Sequence, residues 1–553
     1  MEKELQKEIL KVCMSKGFLL DKEMLEIFSE LDKGSANEII ETLSNLKIGE
    51  RVITKNLFSK NFEKIKNFLV DGKNKIVIEK FFINLGYEKT EISSAGKSSG
   101  DVVDVVDVEK TGNGVVKVLS AGIFPPKKIG VKDFVAHFRS RYDLVKGVLA
   151  GRDLEDLSSI RKIGGERGNY TIIAAILNKR ITKNKNLFLE VEDMTGKANV
   201  LVNQNKKEIF EKARDLLVDD IVAFSVSGSS DMLFANDVIF PEAGLAEKKY
   251  GKDDEWVAFI SDLHVGSTMF LEDNFLRFIK WLNGEEGDEK QKEIAGKVRY
   301  LIFNGDGVDG VGHFPGQDKW LNILDMKGQY DKMVELFKLI RSDIKIVFAP
   351  GNHDAVWVGE PQPTIGEQWA PGLYKMDNVT LVTNPSLVEI DSGFRILMYH
   401  GASMHGMINE IEYIRVNHGT DSPTIVGKEI LKRRHLAPSH GSVDYIPCEE
   451  DALVIKNVPD ILTTADLHRS EVSTYNNILI IATSCWQSLT PFQEKVGNNP
   501  DFCKVVLFNL KTREIKILDF SDKEDEFEEQ VCEENEEGDI VCEVKNEHGG
   551  TEK

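Results

Sequence analysis

The sequence has little of what marks membrane proteins, secreted disulfide scaffolds and cysteine-ligated zinc proteins. Its 553 residues include six cysteines and no CxxC pair. No apolar run approaches the roughly 18 residues of a membrane-spanning helix, and Met1–Glu4 opens no signal peptide. We therefore expect a soluble, cytoplasmic protein with no membrane partner, reduced cysteines and no cysteine-based zinc site.

Positive charge is also scarce. There are 70 Lys and Arg against 91 Asp and Glu, a net charge of −21. Residues 521–553 hold 14 acidic residues and 3 lysines, and they are predicted to be a disordered acidic tail. The rest of the chain is still mildly acidic and has little charge with which to hold long DNA. If the protein acts on nucleic acid, a basic partner has to supply most of the positive charge that binds the phosphates.

At 553 residues the chain is too long for one ordinary core, so we expect a multidomain α/β protein. Residues 1–75 carry helical apolar stripes, which fit either a self-contained bundle or a docking module for a partner chain. A later helical stripe is followed by β-rich runs and turns in the order of an OB-fold barrel, for which structural or interface use is favoured over strand binding. The predicted divisions are 1–75 (helical domain), 76–131 (linker), 132–250 (OB-fold with a preceding helix), 251–520 (α/β domain) and 521–553 (tail).

Five apolar strands after residue 251 each end in polar residues that can bind metal. Their spacing fits strand–helix–strand units, which place strand ends side by side at one edge of a sheet. The ends are Ser261-Asp262-Leu263-His264, Asn304-Gly305-Asp306, Gly351-Asn352-His353-Asp354, His400-Gly401 and Ala465-Asp466-Leu467-His468. One Asp-x-His motif is weak support for a metal site, but five such ends in one region predict one.

The residue types indicate the kind of metal. Nine of the eleven histidines lie between residues 264 and 468, among carboxylates and without thiolates. Oxygen and imidazole ligands suit Mn²⁺, Fe²⁺ or Zn²⁺, and a bridging carboxylate favours a site for two metals.

Together these motifs resemble those of the calcineurin-like metallophosphoesterases. The resemblance covers about residues 255–520 and implies a two-layered β-sandwich flanked by helices. The implied ligands are Asp262, His264 and His468 for one metal and Asn352, His400 and Asp466 for the other, with Asp306 bridging. The resemblance also implies that His353 protonates the leaving oxygen or stabilises charge on phosphorus, with Asp354 orienting its imidazole.

Further stretches narrow this resemblance. The segments 304–317 (NGDGVDGVGHFPGQ) and 431–442 (LKRRHLAPSHGS), and the order of the domains, are similar to the small subunits of archaeal D-family DNA polymerases. That family implies a 3′→5′ proofreading exonuclease with two divalent ions, foremost Mn²⁺, with Mg²⁺, Fe²⁺ and Zn²⁺ as alternatives. It implies two partners, a large polymerising subunit and DNA, the latter preferentially with single-stranded or mismatched 3′ ends.

The sequence departs from the family pattern at residue 466. The last motif usually reads Gly-His-x-His, and here it reads Ala465-Asp466-Leu467-His468. In one interpretation Asp466 ligates the second metal through a carboxylate oxygen, which suits Mn²⁺. In the other the site is decaying and the chain is an inactive scaffold that stabilises the large subunit. The remaining ligands are all present, which favours a working site. A free-standing phosphatase or repair nuclease is a third alternative, but it would not need the N-terminal domains.

Other residues are candidates for contacts with DNA. Arg433, Arg434 and His435 form a compact basic cluster, predicted either to hold phosphates of a fraying strand or to pair with acidic residues on the surface. Asp309 is expected to cap or orient rather than to ligate. The lesser candidates are the loop histidines His313, His405 and His440 and the tryptophans Trp320, Trp369 and Trp486, for which core packing is the commoner role.

Overall fold

The computed structural model describes residues 11–13, 16, 18–20, 52–53, 106–107, 116–121, 128–521, 528–535 and 538–544. The chain divides into two units, residues 1–102 and residues 103–553. In the first unit the strands Leu19–Leu20 and Val52–Ile53 pair in parallel. The helical domain predicted for residues 1–75 lies almost wholly outside the described residues and stays a prediction.

A closed barrel of five strands occupies residues 168–239 of the second unit. Its strands are Gly168–Ile181, Leu187–Asp193, Gly196–Val202, Ile221–Ser229 and Met232–Ile239, with the helix Lys207–Arg214 between the third and fourth. Alternate apolar residues such as Leu187, Leu189 and Val191 fill its interior, because successive side chains of a strand point to opposite faces. The predicted order of strands, turns and one helix is confirmed, and the OB-fold assignment stays an interpretation of this barrel.

Two larger sheets follow the barrel. The eight-stranded sheet has the order Val379–Leu381, Lys345–Ala349, Val298–Asn304, Trp256–Ile260, Lys504–Asn509, Ile515–Asp519, Glu528–Glu534 and Ile540–Val544. The seven-stranded sheet has the order Glu471–Tyr475, Ile478–Ala482, Ile461–Thr464, Arg395–Met398, Ser386–Glu389, Lys117–Ala121 and Val106–Asp107. The strands that precede the predicted ligands pair in parallel within each sheet. Their carboxyl ends therefore lie at one edge of their sheet, where sites form in open α/β folds.

The two sheets pack face to face. Phe259 and Ile302 of the eight-stranded sheet and Ile396 and Ile481 of the seven-stranded sheet are fully buried in one core cluster. The helices on the outer faces are Glu272–Leu282 and Met326–Phe337 on the first sheet and Met404–Glu410 and Pro423–Arg433 on the second. The predicted sandwich flanked by helices is confirmed.

The remaining helices are Val131–Ala150, Glu289–Lys297, Pro371–Tyr374, Glu412–Asn417 and Pro491–Val496. Several helices, including Met326–Phe337, begin at residues that favour a helix start. Proline fits the first helical position, and the side chains of Asp288, Asp325 and Thr490 each accept a main-chain hydrogen bond from the first turn. The helix Val131–Ala150 packs between the barrel and the sandwich through its apolar face. No helix in the described part of the chain is long and apolar enough to cross a membrane.

Two predicted segments need correction. Lys117–Ala121, inside the predicted linker 76–131, pairs with a strand of the sandwich, because Val116 and Val118 are apolar and become buried between the sheets. Within the predicted tail 521–553, Glu528–Glu534 and Ile540–Val544 form a hairpin that extends the eight-stranded sheet. A disulfide joins the two strands of this hairpin through Cys532 and Cys542, contrary to the expectation of reduced cysteines.

Candidate metal centre

The candidate site lies in the loops that follow the five strands. Asp262, His264, Asp306, Asp466 and His468 have φ of 51°, 51°, 53°, 65° and 57°. Positive φ is uncommon for residues other than glycine, and such strained positions cluster at functional sites. Five of the predicted ligands thus share a backbone conformation that the fold has to enforce.

The segments 262–264 and 466–468 are the same tripeptide, Asp-Leu-His, in the same conformation. In both, the Asp and the His have positive φ and the Leu between them is buried. Ala465 is not among the residues with positive φ, so the loss of the family's glycine there causes no backbone strain. Asp466 therefore has the place in its loop that Asp262 has in the first loop.

Three side chains meet at the first part of the site. Nε2 of His468 lies 3.3 Å from Oδ1 of Asp262 and 3.4 Å from Nε2 of His264. Nε2 of His264 lies 3.9 Å from Oδ1 of Asp262. One carboxylate oxygen and two imidazole nitrogens surround a single point, and they are the residues predicted for the first metal.

Asp306 connects this group to a second one. Its Oδ2 lies 3.8 Å from Nε2 of His264 and 3.3 Å from Nε2 of His400. On the far side, Nε2 of His400 lies 3.8 Å from Oδ1 of Asp466. Burial alone would lower the pKa of the His400 imidazole, but the surrounding carboxylates, above all Asp306, raise it well above its usual range. The Asp306 carboxylate thus lies where the prediction needs a bridge.

Unpartnered donor atoms show that these residues fit a metal centre. Oδ1 of Asp262, Oδ1 of Asn352 and Nε2 of His400 are buried and make no hydrogen bond of good geometry among the residues described. Of these, the atoms of Asp262 and His400 have only the ion-pair contacts given above. Leaving a buried polar atom without a hydrogen bond is unfavourable, so such atoms on three predicted ligands indicate that these residues bind a cation. Carboxylate, amide oxygen and imidazole are donors that divalent first-row metals accept.

His353, predicted to be catalytic, lies beside this cluster and is held by main-chain groups. Nδ1 of its ring lies 2.8 Å from the main-chain oxygen of Asp309. The main-chain N–H of His353 donates a hydrogen bond to Oδ1 of Asp306 at 2.8 Å. The Asp309 carboxylate lies 3.2 Å from Nδ1 of His264. Asp309 therefore contacts two imidazoles, which agrees with the orienting role expected for it.

Asp354 does not orient the His353 imidazole as predicted. Its carboxylate accepts hydrogen bonds from the N–H groups of Gly351 at 2.9 Å and Gly307 at 3.3 Å and from the Tyr330 hydroxyl at 2.8 Å. Burial and the nearby Asp306 raise the pKa of Asp354 to about 6. Its role is to hold two ligand loops together, because Gly307 and Gly351 follow different strands.

Two further contacts hold the ligand imidazoles. Nδ1 of His400 lies 2.8 Å from the main-chain oxygen of Asn304. Nδ1 of His468 lies 2.9 Å from the side-chain amide of Gln493. Sequence reasoning missed Gln493, which lies on the short helix Pro491–Val496 outside every ligand motif.

The basic cluster Arg433, Arg434 and His435 is buried, with at most 6% of any side chain exposed. The partners are Asp220 and Glu429 for Arg433, the main-chain oxygens of Ile455 and Lys456 for Arg434, and Asp451 for His435. The predicted substrate-binding role is corrected, because these donors are engaged inside the protein. The alternative, pairing with surface acidic residues, is also wrong, because the acidic partners Asp220, Glu429 and Asp451 are buried.

Among the lesser candidates, two lie at the centre. The ring of His313 stacks on that of His353 with 4.3 Å between centroids, and Nε2 of His405 lies 3.7 Å from Oδ2 of Asp466. His440 instead contacts Tyr445. Trp486 is part of the core, whereas Trp320 and Trp369 are exposed.

Part of the chain is similar to the B-subunits of DNA polymerases. A family model that describes the B-subunits of DNA polymerases alpha and epsilon matches residues 257–473, which include every predicted ligand. A solved structure of Vps29 with Zn²⁺ from Entamoeba histolytica is 15% identical and covers 52% of this chain and 98% of its own, with a TM-score of 0.24. A TM-score of this size assigns no fold.

Curated relatives give the particular family. Over 393 residues the chain is 38% identical to the DNA polymerase II small subunit of Methanothermobacter thermautotrophicus, covering 71% of this chain and 80% of the relative. Over 487 residues it is 31% identical to the DNA polymerase II small subunit of Pyrococcus furiosus, covering 83% and 78%. The chain belongs to the family of DNA polymerase II small subunits, and the resemblance drawn from the sequence is confirmed.

Proposed function

We propose that the chain is a metal-dependent 3′→5′ exonuclease that acts beside the large subunit of a DNA polymerase. The observation that carries this proposal is two adjoining groups of buried ligand atoms, one from Asp262, His264 and His468 and the other from Asp262, Asp306 and His400. Within each group the ligand atoms lie within 4.8 Å of one another. Paired metals near a bridging carboxylate are the arrangement that phosphodiester hydrolysis uses. Membership of the polymerase small-subunit family supports DNA as the substrate and a large subunit as the partner.

When bound, two divalent ions, foremost Mn²⁺ with Mg²⁺, Fe²⁺ or Zn²⁺ as alternatives, would supply an activated water and neutralise charge on the phosphate. The ligands would be Asp262, His264 and His468 for one ion and Asn352, His400 and Asp466 for the other, with Asp306 shared. His353 keeps a proton on Nδ1, where the main-chain oxygen of Asp309 accepts it. In the imidazolium form Nε2 carries a second proton, and this is the proton that passes to the departing 3′-oxygen.

Asp466 takes the second-metal position by a carboxylate oxygen. Its Oδ1 lies 3.8 Å from Nε2 of His400, close enough for both to bind one ion. A carboxylate adds negative charge that a histidine does not, which strengthens binding of a hard cation such as Mn²⁺. An inactive scaffold remains the second candidate, and the departure at residue 466 is the observation that favours it.

The barrel and the helix Val131–Ala150 complete the proposed organisation. We interpret the barrel as an OB-fold used for structure or interface within the polymerase. DNA with a single-stranded or mismatched 3′ end is the proposed substrate, and the large subunit provides the charge that this acidic chain lacks.

The test is digestion of a 5′-labelled strand, single or with a mismatched primer end, by the full chain with Mn²⁺. His353→Ala should abolish stepwise shortening from the 3′ end, whereas His418→Ala, a histidine outside the centre, should leave it intact. Asp466→His, which restores the family residue, should retain shortening. The same samples are repeated with the large subunit.

The outcomes separate the two candidates. Shortening that depends on His353 supports the nuclease, and activity only in Asp466→His would mean that Asp466 silences the site. If no sample shortens the strand even when the large subunit is present, the chain is an inactive scaffold for that subunit. Thermal unfolding gives a second readout, because a metal that binds the folded chain raises Tm, and an idle site would leave Tm unchanged on removal of Mn²⁺.

A further inference from the structure

Residues 310–320 form a loop that borders the proposed centre and exposes aromatic side chains. Phe314 is 44% exposed and Trp320 is 39% exposed. His313, the residue before Phe314, stacks on His353 with 4.3 Å between the ring centroids and 24° between the planes. Phe314 is therefore one residue away from a ring in contact with the proposed catalytic imidazole.

Buried amide side chains fix this loop. Gln317, only 1% exposed, accepts hydrogen bonds from the N–H groups of Gly312 at 2.8 Å and His313 at 2.9 Å. It also donates to the main-chain oxygen of Asp309 at 3.0 Å. Gln329 accepts from the N–H of Gly310 at 2.9 Å. A loop held at these points presents its side chains in a set position, so binding loses little conformational freedom.

The segment 265–271, which follows the first Asp-Leu-His motif, is hydrogen-bonded both to this loop and to the segment that contains Leu489. The N–H of Thr268 donates to the main-chain oxygen of Trp320 at 2.8 Å. The main-chain oxygen of Met269 accepts a hydrogen bond from the N–H of Ser488, the residue before Leu489, at 3.0 Å. Leu489 is 42% exposed. The end of the loop at Trp320 is thus fixed to the loop that follows the first Asp-Leu-His motif.

We propose that residues 310–320 form a wall that receives the unpaired base of the 3′-terminal nucleotide, with Phe314 and Trp320 as the stacking side chains. The inference rests on the proposed exonuclease function and adds a specificity element to it. The occupant needs a flat apolar face for the rings and an adjoining phosphate for the metal-binding cluster, and a nucleotide has both. Bases stack on exposed aromatic side chains without regard to sequence.

Such a wall distinguishes unpaired from paired ends. A base in a duplex is stacked on its neighbour and joined to its complement, so it has to leave the helix before it can lie against Phe314. A mismatched or single-stranded terminal base has lost the pairing that opposes this movement. The wall therefore favours the ends that a proofreading nuclease removes.

The experiment uses a single strand with 2-aminopurine as the 3′-terminal base, whose fluorescence falls when the base stacks. The full chain carries His353→Ala, so that the terminal nucleotide stays in place, and Mn²⁺ is present. We expect quenching of the 3′ probe and none of a probe at the 5′ end. Adding Phe314→Ala should remove most of the quenching and weaken binding about 5- to 150-fold, the factor for one stacked base at about 1–3 kcal/mol.

Two variants control for general effects. Phe234→Ala makes the same change at a barrel residue that is 38% exposed, and it should leave quenching intact. Phe314→Tyr keeps a flat ring and should restore both quenching and affinity. Unchanged Tm in each variant confirms that the chain is folded.

Each outcome bears on the proposal separately from the nuclease function. Equal quenching with and without Phe314→Ala, equal quenching at both ends of the strand, or no quenching at all would overturn the wall. If Phe314→Ala instead lost its affinity for the large subunit, with quenching unchanged, the loop would be assigned to a protein contact. If quenching depends on Phe314 but the natural chain never shortens DNA, the base-stacking wall is supported and the proposed nuclease function is contradicted.

Discussion

Asp309 contacts two imidazoles of the centre with two different groups. Its carboxylate lies 3.2 Å from Nδ1 of His264 and its main-chain oxygen 2.8 Å from Nδ1 of His353. A carboxylate behind a metal-binding histidine fixes the ring and its proton, and removing it weakens metal binding about 10- to 100-fold. We expect Asp309→Ala to weaken Mn²⁺ binding by this factor, measured by titration with the electron paramagnetic resonance of free Mn²⁺.

Asp318→Ala is the matched control for this prediction. Asp318 is exposed and lies nine residues further along, in the turn Gln317–Trp320 that ends the same loop. It removes the same charge without touching an imidazole, so Mn²⁺ binding should stay as in the natural chain. Equal affinities in the two variants would show that Asp309 does not orient His264.

At the scale of single residues, sequence reasoning succeeds where a role follows from local order. His264 and His400 are located by strand ends alone, since a parallel sheet aligns those ends. Arg433 could not be interpreted this way, because its partner Asp220 is 213 residues away in the chain. Asp354 adjoins His353 in sequence, but adjacent side chains need not face each other, and only the folded loop shows where its carboxylate points.

At the scale of elements, the loop after Lys345–Ala349 passes close to the centre at Gly351. A methyl group at Gly351 would overlap the Asp306 carboxylate and come 2.7 Å from Nε2 of His400. Only a residue without a side chain allows this approach. We expect Gly351→Ala to lower the free energy of unfolding by about 1–3 kcal/mol and to abolish Mn²⁺ binding, measured by urea denaturation and metal titration.

Gly244→Ala is the control for the glycine prediction. A methyl group there meets nothing within 4 Å, and the residue is not among those with positive φ. Both stability and Mn²⁺ binding should stay unchanged. If Gly351→Ala binds Mn²⁺ with normal affinity, the loop after Lys345–Ala349 can move to fit the methyl group without displacing the ligands.

The barrel and the sandwich are joined by a buried ion pair. Arg433, in the last turn of Pro423–Arg433, donates to Asp220 at 3.0 Å and also pairs with Glu429. Arg433→Met would leave the buried Asp220 without its ion-pair partner, whereas Glu429 keeps Lys432 at 3.4 Å. Breaking a buried pair in this way destabilises a protein by about 3–5 kcal/mol. Urea denaturation of the full chain measures the loss.

Lys197→Met tests whether any lost ion pair has this effect. Lys197 lies 3.6 Å from Glu192, but its side chain is 73% exposed. Water screens such a pair, so its loss should change stability by less than about 1 kcal/mol. Arg433→Met with Asp220→Asn removes the stranded charge and should recover most of the stability. Equal effects of Arg433→Met and Lys197→Met would contradict the buried pair.

Elements were predicted well where hydrophobic periodicity is strong. The strand Trp256–Ile260 and the strand order of the barrel follow from apolar runs and turns. Lys117–Ala121 was missed because the stretch before it is rich in Ser, Gly and Asp and the whole region was interpreted as a linker. The hairpin of residues 528–544 was missed because its sequence is strongly acidic. Such segments become strands only because a sheet edge is there to pair with them, which is a long-range effect.

At the scale of the whole molecule, helix Val131–Ala150 is tied to the sandwich through one buried carboxylate. Oδ2 of Asp451 lies 2.6 Å from Nε of Arg141, 3.3 Å from Nε2 of His137 and 3.1 Å from Nε2 of His435. Arg141 already balances the charge of Asp451, so protonating either histidine adds a net charge inside the protein. Burial, with Arg141 nearby, lowers the pKa of His435 to about 4, and burial also lowers that of His137.

This cluster predicts that the chain loses stability in mild acid. An unfolded histidine takes up a proton near pH 6.5, whereas folded His435 does so only near pH 4. Between these values the unfolded state binds more protons, so the free energy of unfolding falls as pH falls, by roughly 3 kcal/mol for His435 alone. Above pH 6.5 the histidine is neutral in both states and contributes no slope.

The difference between two variants isolates this effect from the other histidines. His435→Asn cannot take up a proton, so the urea midpoint should change less between pH 7 and pH 4.5 than in the natural chain. His418→Asn removes a histidine outside the cluster and should keep the full slope. The histidines of the metal centre titrate alike in all three chains, so they cancel in the comparison. If the urea midpoints of His435→Asn and the natural chain fell equally between pH 7 and pH 4.5, His435 would be protonated as readily in the folded state as in the unfolded state. The cluster around Asp451 would then tolerate the added charge.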